Sequence, residues 1–263
     1  MKHVRFTTTA TGEAAAAPRC GILDGETIRE TTGQLQAEPI YTGNVFAVAD
    51  VRLLAPLVPR HIVGIGKNFA AEGDEKPAVP DMPILFFKPL GTLADPGDAI
   101  VLPLGTSEVK FESEVAVVIG REARHIAPEQ ADSVIFGCTV ANDVSALDYF
   151  HPEGHWTIGK AFDTFCPLGP VIETDFDYRD ARIYASVNGS PKQDSRMERI
   201  IMPIDRMIAY ISTFMTLLPG DVILTGTPAG ADWVRDGDVV TCGVEGIGEL
   251  VNPVRAPRRS PSS

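Results

Sequence analysis

Two glutamates spaced two apart, Glu112 and Glu114 in FESEVAVVIG, and Asp143 at the end of IFGCTVAND are the residues of this chain best suited to chemistry. Alternate residues of a strand share a face, so the two glutamates point the same way. That face continues through Ala116 and Val118, and the other reads Phe111, Ser113, Val115, Val117 and Ile119. A Glu-x-Glu pair is also common on the solvated face of an antiparallel sheet. Apolar residues on both faces beyond the glutamates argue instead for a strand that enters a core. Two like charges at the mouth of such a strand repel each other and lose hydration, and so need a cation. Asp143 can supply a third oxygen, although Asn-Asp alone also reads as a turn. Three carboxylates with no Cys or His among them suit a hard divalent ion, Mg²⁺ or Mn²⁺.

Other residues could serve a ligand beside such an ion. Lys160, in WTIGKAFDTFCPLGP, lies between apolar stretches; a partly buried lysine needs an anionic substrate or a metal-site carboxylate as partner. A lysine snorkelling to the surface fits the same pattern. TGTPAG, residues 225–230, follows the strand-like DVIL, and Thr227 with its neighbouring backbone N–H groups could hold a carboxylate. A plain Gly/Pro turn fits equally. Gln193 follows a hairpin and is ambiguous in the same way. Gly64-Ile65-Gly66 lacks the third glycine of a dinucleotide fingerprint and is not read as one.

A chain of 263 residues can bury a sizeable core as one large domain, or as one large and one small. The net charge of −12 argues against nucleic acid or an anionic membrane as partner. It leaves room for a small anionic substrate, because local cations override global charge. No apolar run reaches the roughly 18 residues of a transmembrane helix, and MKHVRFTTTA has no long apolar stretch of a secretory signal. The cysteines Cys20, Cys138, Cys166 and Cys242 are widely spaced, which excludes ribbon-type zinc and C-x-x-C redox sites and fits a reducing cytoplasm.

The elements that must position these residues are mostly strands. Residues 1–57 form a small β-rich N-terminal unit of short strands broken by Gly, Asp and Pro. HIVGIG reads as a short buried strand. KNFAAEGDEKPAVPDMP then reads as a helical turn at Asn68–Glu72 followed by a mobile lid. Beyond it, short apolar strands alternate with Gly/Pro punctuation, with a hairpin at Val187-Asn188-Gly189-Ser190. Pro128–Asp132 opens a short helix. Met202–Leu218 is a longer one, with Ile204, Ile208, Ile211 and Met215 on one face and a stop at Pro219-Gly220. The expected fold is mostly β, a sandwich or rolled sheet over residues 58–254, with a disordered tail at 255–263.

The segments IVGIGKNF, PILFFKP, VKFESEVAVVIG, GCTVANDVSALD, GKAFDTFCPLGP, VNG, LLPGDVILTGTPAG and VEGIGELVNPV, in this order over about residues 60–254, resemble the fumarylacetoacetate hydrolase family. The resemblance implies a mixed β-sandwich roll, usually homodimeric, acting on 2-oxo acids and 1,3-dicarbonyl compounds. It implies Glu112, Glu114 and Asp143 as metal ligands, with Lys160, Gln193 and Thr227 as substrate contacts and Lys160 also catalytic. Hydrolytic cleavage of acylpyruvate-type substrates is the family default. Isomerisation or tautomerisation, decarboxylation, and a non-catalytic 2-oxo acid binding protein are the alternatives. Hydrolytic members typically carry N-Y-x-x-H-x-x-E in the lid; here the register gives Asn68, Phe69, Glu72 and Glu75, so a glutamate replaces the histidine. Leu147 stands where Arg is usual in S-A-R-D, and Asp148 is retained. Glu72 beside Glu75 could act as a base if like-charge repulsion raised its pKa. His151 or His155 in YFHPEGHW could substitute for the missing histidine.

Overall fold

The computed structural model describes residues 1–8, 17–106 and 108–257. The N-terminal strands are β1 (Lys2–Thr8), β2 (Arg19–Asp24), β3 (Thr27–Thr32), β4 (Ile40–Ala47) and β5 (Val51–Leu54). Then come β6 (Ile62–Gly66), β7 (Ile84–Lys88), β8 (Leu93–Ala94), β9 (Ile100–Val101) and β10 (Val109–Lys110). The central strands are β11 (Ser113–Ile119), β12 (Ile135–Asn142), β13 (Ser145–Ala146) and β14 (Cys166–Glu173). The hairpin β15 (Arg182–Val187) and β16 (Ser190–Arg196) precedes helix α1 (Ile204–Ser212). The chain ends in β17 (Val222–Leu224), β18 (Val239–Val244) and β19 (Gly248–Arg255).

The large sheet runs β4-β3-β2-β1-β14-β12-β11-β17-β6-β7, and a second runs β16-β15-β18-β19-β9. β14 packs on β19 and β11 on β15, so the sheets face each other. The fold is therefore a mostly β roll with little helix, as expected. The N-terminal strands extend the large sheet through β1 and β14, in the register Lys2↔Glu173 and His3↔Ile172. The terminal amine seals that junction with an ion pair to Glu173 at 2.6 Å.

β11 lies near the middle of the large sheet and is buried on both faces. Val115, Val117 and Ile119 join the core between the sheets, while Ala116 and Val118 join a second cluster with Leu168 and Leu224 on the opposite face. Each fully buried Val or Ile contributes about 1.5–3 kcal/mol relative to exposure, so the strand that carries the glutamates is firmly anchored.

Three local expectations are corrected. The segment after β6 is not a helical turn. Asn68 is buried, its Oδ1 accepting from Met202 N (2.8 Å) and its Nδ2 donating to Thr225 O (2.9 Å). Phe69 then bridges to Ile200 in extended pairing. A side chain committed to distant backbone outcompetes the local turn. The second helix is shorter than its pattern. Asn68 holds Met202 outside its start, and Ser212 Oγ donates to Ala209 O (2.7 Å) at its end. Leu217 then pairs with Ala123, so 213–218 belong to loop and bridge. The tail begins later than expected, because Arg255 closes β19; residues 258–263 lie outside the described residues. Pro128–Ser133 is a short 3-10 turn, and Val187 pairs with Ser190 across the expected hairpin, whose Asn188 and Gly189 take positive φ. Among the described residues no helix is long and apolar enough to cross a membrane.

Candidate metal centre

The carboxylates meet at one end of the β11–β12 pair. The strands run antiparallel with Ser113↔Asn142 and Glu114↔Ala141 in register, so Asp143 leaves β12 just where Glu112 enters β11. Asp143 N donates to Glu112 O (2.9 Å) and Glu112 N to Asn142 Oδ1 (2.9 Å), which fixes the two backbones relative to each other. Ligand oxygens of Glu112, Glu114 and Asp143 lie within 4.8 Å of one another. Oxygens on one octahedral Mg²⁺ stand about 3 Å apart in cis and about 4 Å in trans, given ~2.1 Å bonds. The triad therefore needs only a small contraction to close on such an ion.

Two lysines share the site. Lys160 Nζ donates to Glu112 Oε2 at 2.9 Å and pairs with Asp143 Oδ2. Lys88 Nζ pairs with Asp143 Oδ1 at 2.5 Å and donates to Val144 O at 3.2 Å. Both lysines and Asp143 are buried, whereas the Glu112 side chain keeps 18% exposure toward the cavity. Glu114 Oε2 accepts from Gly226 N at 2.7 Å. Gly226 takes φ +99, and a Cβ there would stand 2.8 Å from the Asn68 Cβ, so the approach to Glu114 requires glycine.

The charges do not balance. Burial, with Asp143 adding repulsion, pushes the Glu114 carboxyl well above its usual range, and burial also raises Glu112. Burial would raise Asp143 too, but Lys160 and Lys88 outweigh it and hold that carboxyl low. Burial works to lower Lys160, and the pull of Asp143 and Glu112 overcomes it, so its ammonium is held charged. With all three carboxylates ionised, two ammonium groups would leave one negative charge in a nearly dry site, and burial resists that by favouring a proton on Glu114. An all-oxygen donor set with surplus negative charge fits a hard divalent cation. Glu112, Glu114 and Asp143 would hold it.

The cavity over the triad has a volume of about 210 Å³. Thr227, Phe86, Phe150 and Trp156 line it beside the carboxylates and Lys160. Trp156 packs against Gly66, where a Cβ would come within 2.0 Å of the ring, and stacks on Phe150 with centroids 5.6 Å apart. Lys160 Nζ sits 4.6 Å from the Phe86 ring centroid, a cation–π contact that fixes its position further. The structure thus gathers Glu112, Glu114, Asp143, Lys160 and Thr227.

Gln193 stands behind this wall. Its Oε1 accepts from Ser113 N (3.0 Å), and its Nε2 donates to Thr227 Oγ1 (2.8 Å) and Pro228 O (2.6 Å). Its polar atoms are committed to protein, so in this state it positions the Thr227 turn. Glu72 and Glu75 are exposed and do not line the cavity; Glu72 lines a separate groove with Arg182 and Arg199. His151 and His155 are exposed as well, and His155 lines an adjoining groove along β7. A larger cavity of about 370 Å³, lined by Tyr178, Met197 and Ile204 among others, lies away from the triad. Burial pushes the Cys166 thiol up to about 12, which disfavours its thiolate.

Sequence reasoning missed Lys88 and the aromatic wall. ILFFKP does carry a signal, a lysine directly behind two phenylalanines in an apolar strand, where a charge is tolerated only with a partner.

Comparison with known proteins agrees with this geometry. Residues 61–255 match the family description "Fumarylacetoacetate (FAA) hydrolase C-terminal", and residues 1–56 match "Rv2993c-like, N-terminal". The chain is 44% identical to Protein Rv2993c of Mycobacterium tuberculosis, covering 88% of this chain and 92% of that protein. It is 38% identical to the mitochondrial oxaloacetate tautomerase Fahd2a of Rattus norvegicus, over 78% of this chain and 70% of that protein. Among solved structures, the 2-hydroxyhepta-2,4-diene-1,7-dioate isomerase of Mycobacterium marinum superposes with a TM-score of 0.89 at 39% identity, covering 98% of this chain and all of that one. The maleylpyruvate hydrolase of Sphingobium sp. SYK-6, in complex with manganese(II) and pyruvate, superposes with a TM-score of 0.81 at 29% identity and the same coverage.

Proposed function

The chain belongs to the fumarylacetoacetate hydrolase family, and on that premise we propose that it is a Mg²⁺- or Mn²⁺-dependent enzyme that interconverts the enol and keto forms of a small 2-oxo dicarboxylate. The observation that carries this reading is the composition of the cavity: it joins three carboxylates and a buried lysine to an aromatic wall, and among the described residues no histidine lines it. Enolisation breaks a C3–H bond and makes an enol O–H bond. It needs charge stabilisation at the keto oxygen, with the proton exchanged through solvent at the open mouth of the cavity, but no water activated as a nucleophile. A bound divalent cation would supply Lewis acidity to the keto and carboxylate oxygens of the substrate.

The chain's own residues would do the rest. Lys160 has three N–H donors, of which two are engaged by Glu112 and Asp143. The third is available to the enolate oxygen, where a fixed ammonium stabilises the charge that develops. Phe86, Phe150 and Trp156 exclude water from one side of the substrate and strengthen that interaction. The Thr227 turn, braced by Gln193, would hold the substrate carboxylate. The names of the rat tautomerase and the Mycobacterium marinum isomerase support this choice of reaction.

Hydrolytic C–C cleavage is the second reading, favoured by the likeness to the Sphingobium hydrolase. It would require the segment after β6 to fold over the cavity and bring Glu72 and Glu75 to a bound water. We place the working enzyme in a reducing cytoplasm, in keeping with its four free cysteines.

The test is a product panel with Mg²⁺-loaded protein, metal-stripped protein and a Glu114→Ala variant. Enol-oxaloacetate should be converted to the keto form faster than in buffer, with metal and not without, and acylpyruvates should stay intact. Metal-dependent release of pyruvate from an acylpyruvate would overturn this reading in favour of hydrolysis, and CO₂ from oxaloacetate in favour of decarboxylation. Ligand-induced thermal stabilisation with no turnover would make the protein a binder.

A further inference from the structure

We infer that Lys67 recognises the distal carboxylate of the substrate and so selects 2-oxo dicarboxylates over 2-oxo monocarboxylates. This rests on the 2-oxo acid reading above and adds the residue that sets its specificity.

Two lysines line the triad cavity, Lys67 and Lys160. Lys160 is buried and held in ion pairs with Glu112 and Asp143 at the triad. Lys67 is exposed and, among the described residues, makes no ion pair. It therefore stands at the open side of the cavity as an uncommitted cation. A 2-oxo acid that places its carboxylate and keto oxygen at the triad must direct its remaining substituent either along the aromatic wall or toward this opening. On a chain of net charge −12, a free ammonium at the mouth is the feature that would draw in and hold a second carboxylate.

The backbone supports a specific placement. Lys67 takes φ +55, a left-handed conformation uncommon for a residue with a Cβ. Its neighbours impose it. Gly66 is packed against Trp156, and Asn68 is pinned by hydrogen bonds to Met202 and Thr225. Glycine or asparagine would sit in this turn more comfortably, yet a long cation occupies it. The turn breaks the alternation of β6 and leaves Lys67 exposed at a position that lines the cavity. Backbone strain that persists beside a site is a pointer to function.

The experiment uses matched ligands that differ only in the distal carboxylate. Exchange of the C3 hydrogens for deuterium is followed for oxaloacetate and 2-oxobutanoate, and calorimetric binding to Mg²⁺-loaded protein for 2-oxoglutarate and 2-oxopentanoate. In Lys67→Met, KM for oxaloacetate and Kd for 2-oxoglutarate should rise about tenfold, equivalent to about 1.4 kcal/mol. The values for 2-oxobutanoate and 2-oxopentanoate should stay within twofold, kcat should hold, and Lys67→Arg should restore dicarboxylate binding. An equal loss for both ligand classes would assign Lys67 a structural role and overturn the inference, as would no loss for either. Wild-type protein that binds the two classes equally would overturn this inference alone. Wild-type protein that neither binds nor exchanges any 2-oxo acid would overturn the proposed function along with it.

Discussion

Replacing Lys88 by Met tests whether the buried ammonium holds Asp143 in place. Methionine keeps the apolar stem packed and removes the charge. Lys88 and Asp143 are both fully buried and 2.5 Å apart, so the variant leaves one carboxylate oxygen without its ammonium. Breaking a buried pair from one side costs about 3–5 kcal/mol. Lys160 still holds the other oxygen, which places the expected loss near the lower end, about 3 kcal/mol. For a chain of this size that lowers Tm by about 6–12 °C. The pH dependence follows from the direction of the Asp143 shift. Its folded carboxyl is held below the usual value by Lys160 and Lys88 against the opposing effect of burial, so its contribution to stability is present above the unfolded pKa and fades as pH falls through the folded one. Without Lys88 the carboxyl titrates higher, so the gap between variant and wild type should be full at neutral pH and narrow under acid conditions. Thermal and urea denaturation of metal-free protein would measure it. Adding Asp143→Asn should recover part of the loss, with a coupling of about 2 kcal/mol. A loss under about 1 kcal/mol at neutral pH, or strictly additive mutations, would refute the reasoning.

Three further outcomes follow from the same geometry. The Tm gain from saturating Mg²⁺ should be larger at pH 8 than at pH 5.5, because a cation must displace the proton that burial and Asp143 favour on Glu114; equal gains at both pH values would contradict this. Gly66→Ala puts a Cβ within 2.0 Å of Trp156, so stability should fall by about 1–3 kcal/mol, with a shift in tryptophan fluorescence and a raised KM; unchanged fluorescence would count against the packed wall. Gln193→Leu strips hydrogen bonds from Ser113 N, Thr227 Oγ1 and Pro228 O, and should cost about 3 kcal/mol by thermal denaturation even with no ligand present; a purely ligand-dependent effect would restore Gln193 as a substrate contact.

The triad was legible in the sequence because its cause is local. Spacing of two on a strand puts Glu112 and Glu114 on one face, and apolar residues on both sides announce burial. Asp143 and Lys160 were legible as charges embedded in apolar runs, though their pairing depends on strand register and loop closure that no spacing reveals. Lys88 was missed for that reason: a lysine behind two phenylalanines signals a need for a partner, but that partner, Asp143, lies across the sheet where no spacing shows it. The overlong helix at 202–218 shows the opposite error. Its periodic face is real, but Leu217 and Ser212 find partners around Ala123 and His125 that the pattern cannot show. Asn68 was likewise read as the start of a turn, whereas its amide is spent on joining two distant loops. Glu72 and Glu75 were proposed from motif register alone, and the fold leaves both at the surface, away from the cavity.

The central claim is that Glu112, Glu114 and Asp143 hold a divalent ion that a 2-oxo acid can reach. Electron paramagnetic resonance of added Mn²⁺ tests it without any assay of turnover. Wild-type protein should bind one Mn²⁺ per chain, pyruvate should alter the signal of the bound ion, and a folded Glu114→Ala variant should lose that binding. Tight Mn²⁺ binding that survives in Glu114→Ala, or a bound signal indifferent to pyruvate, would contradict the account.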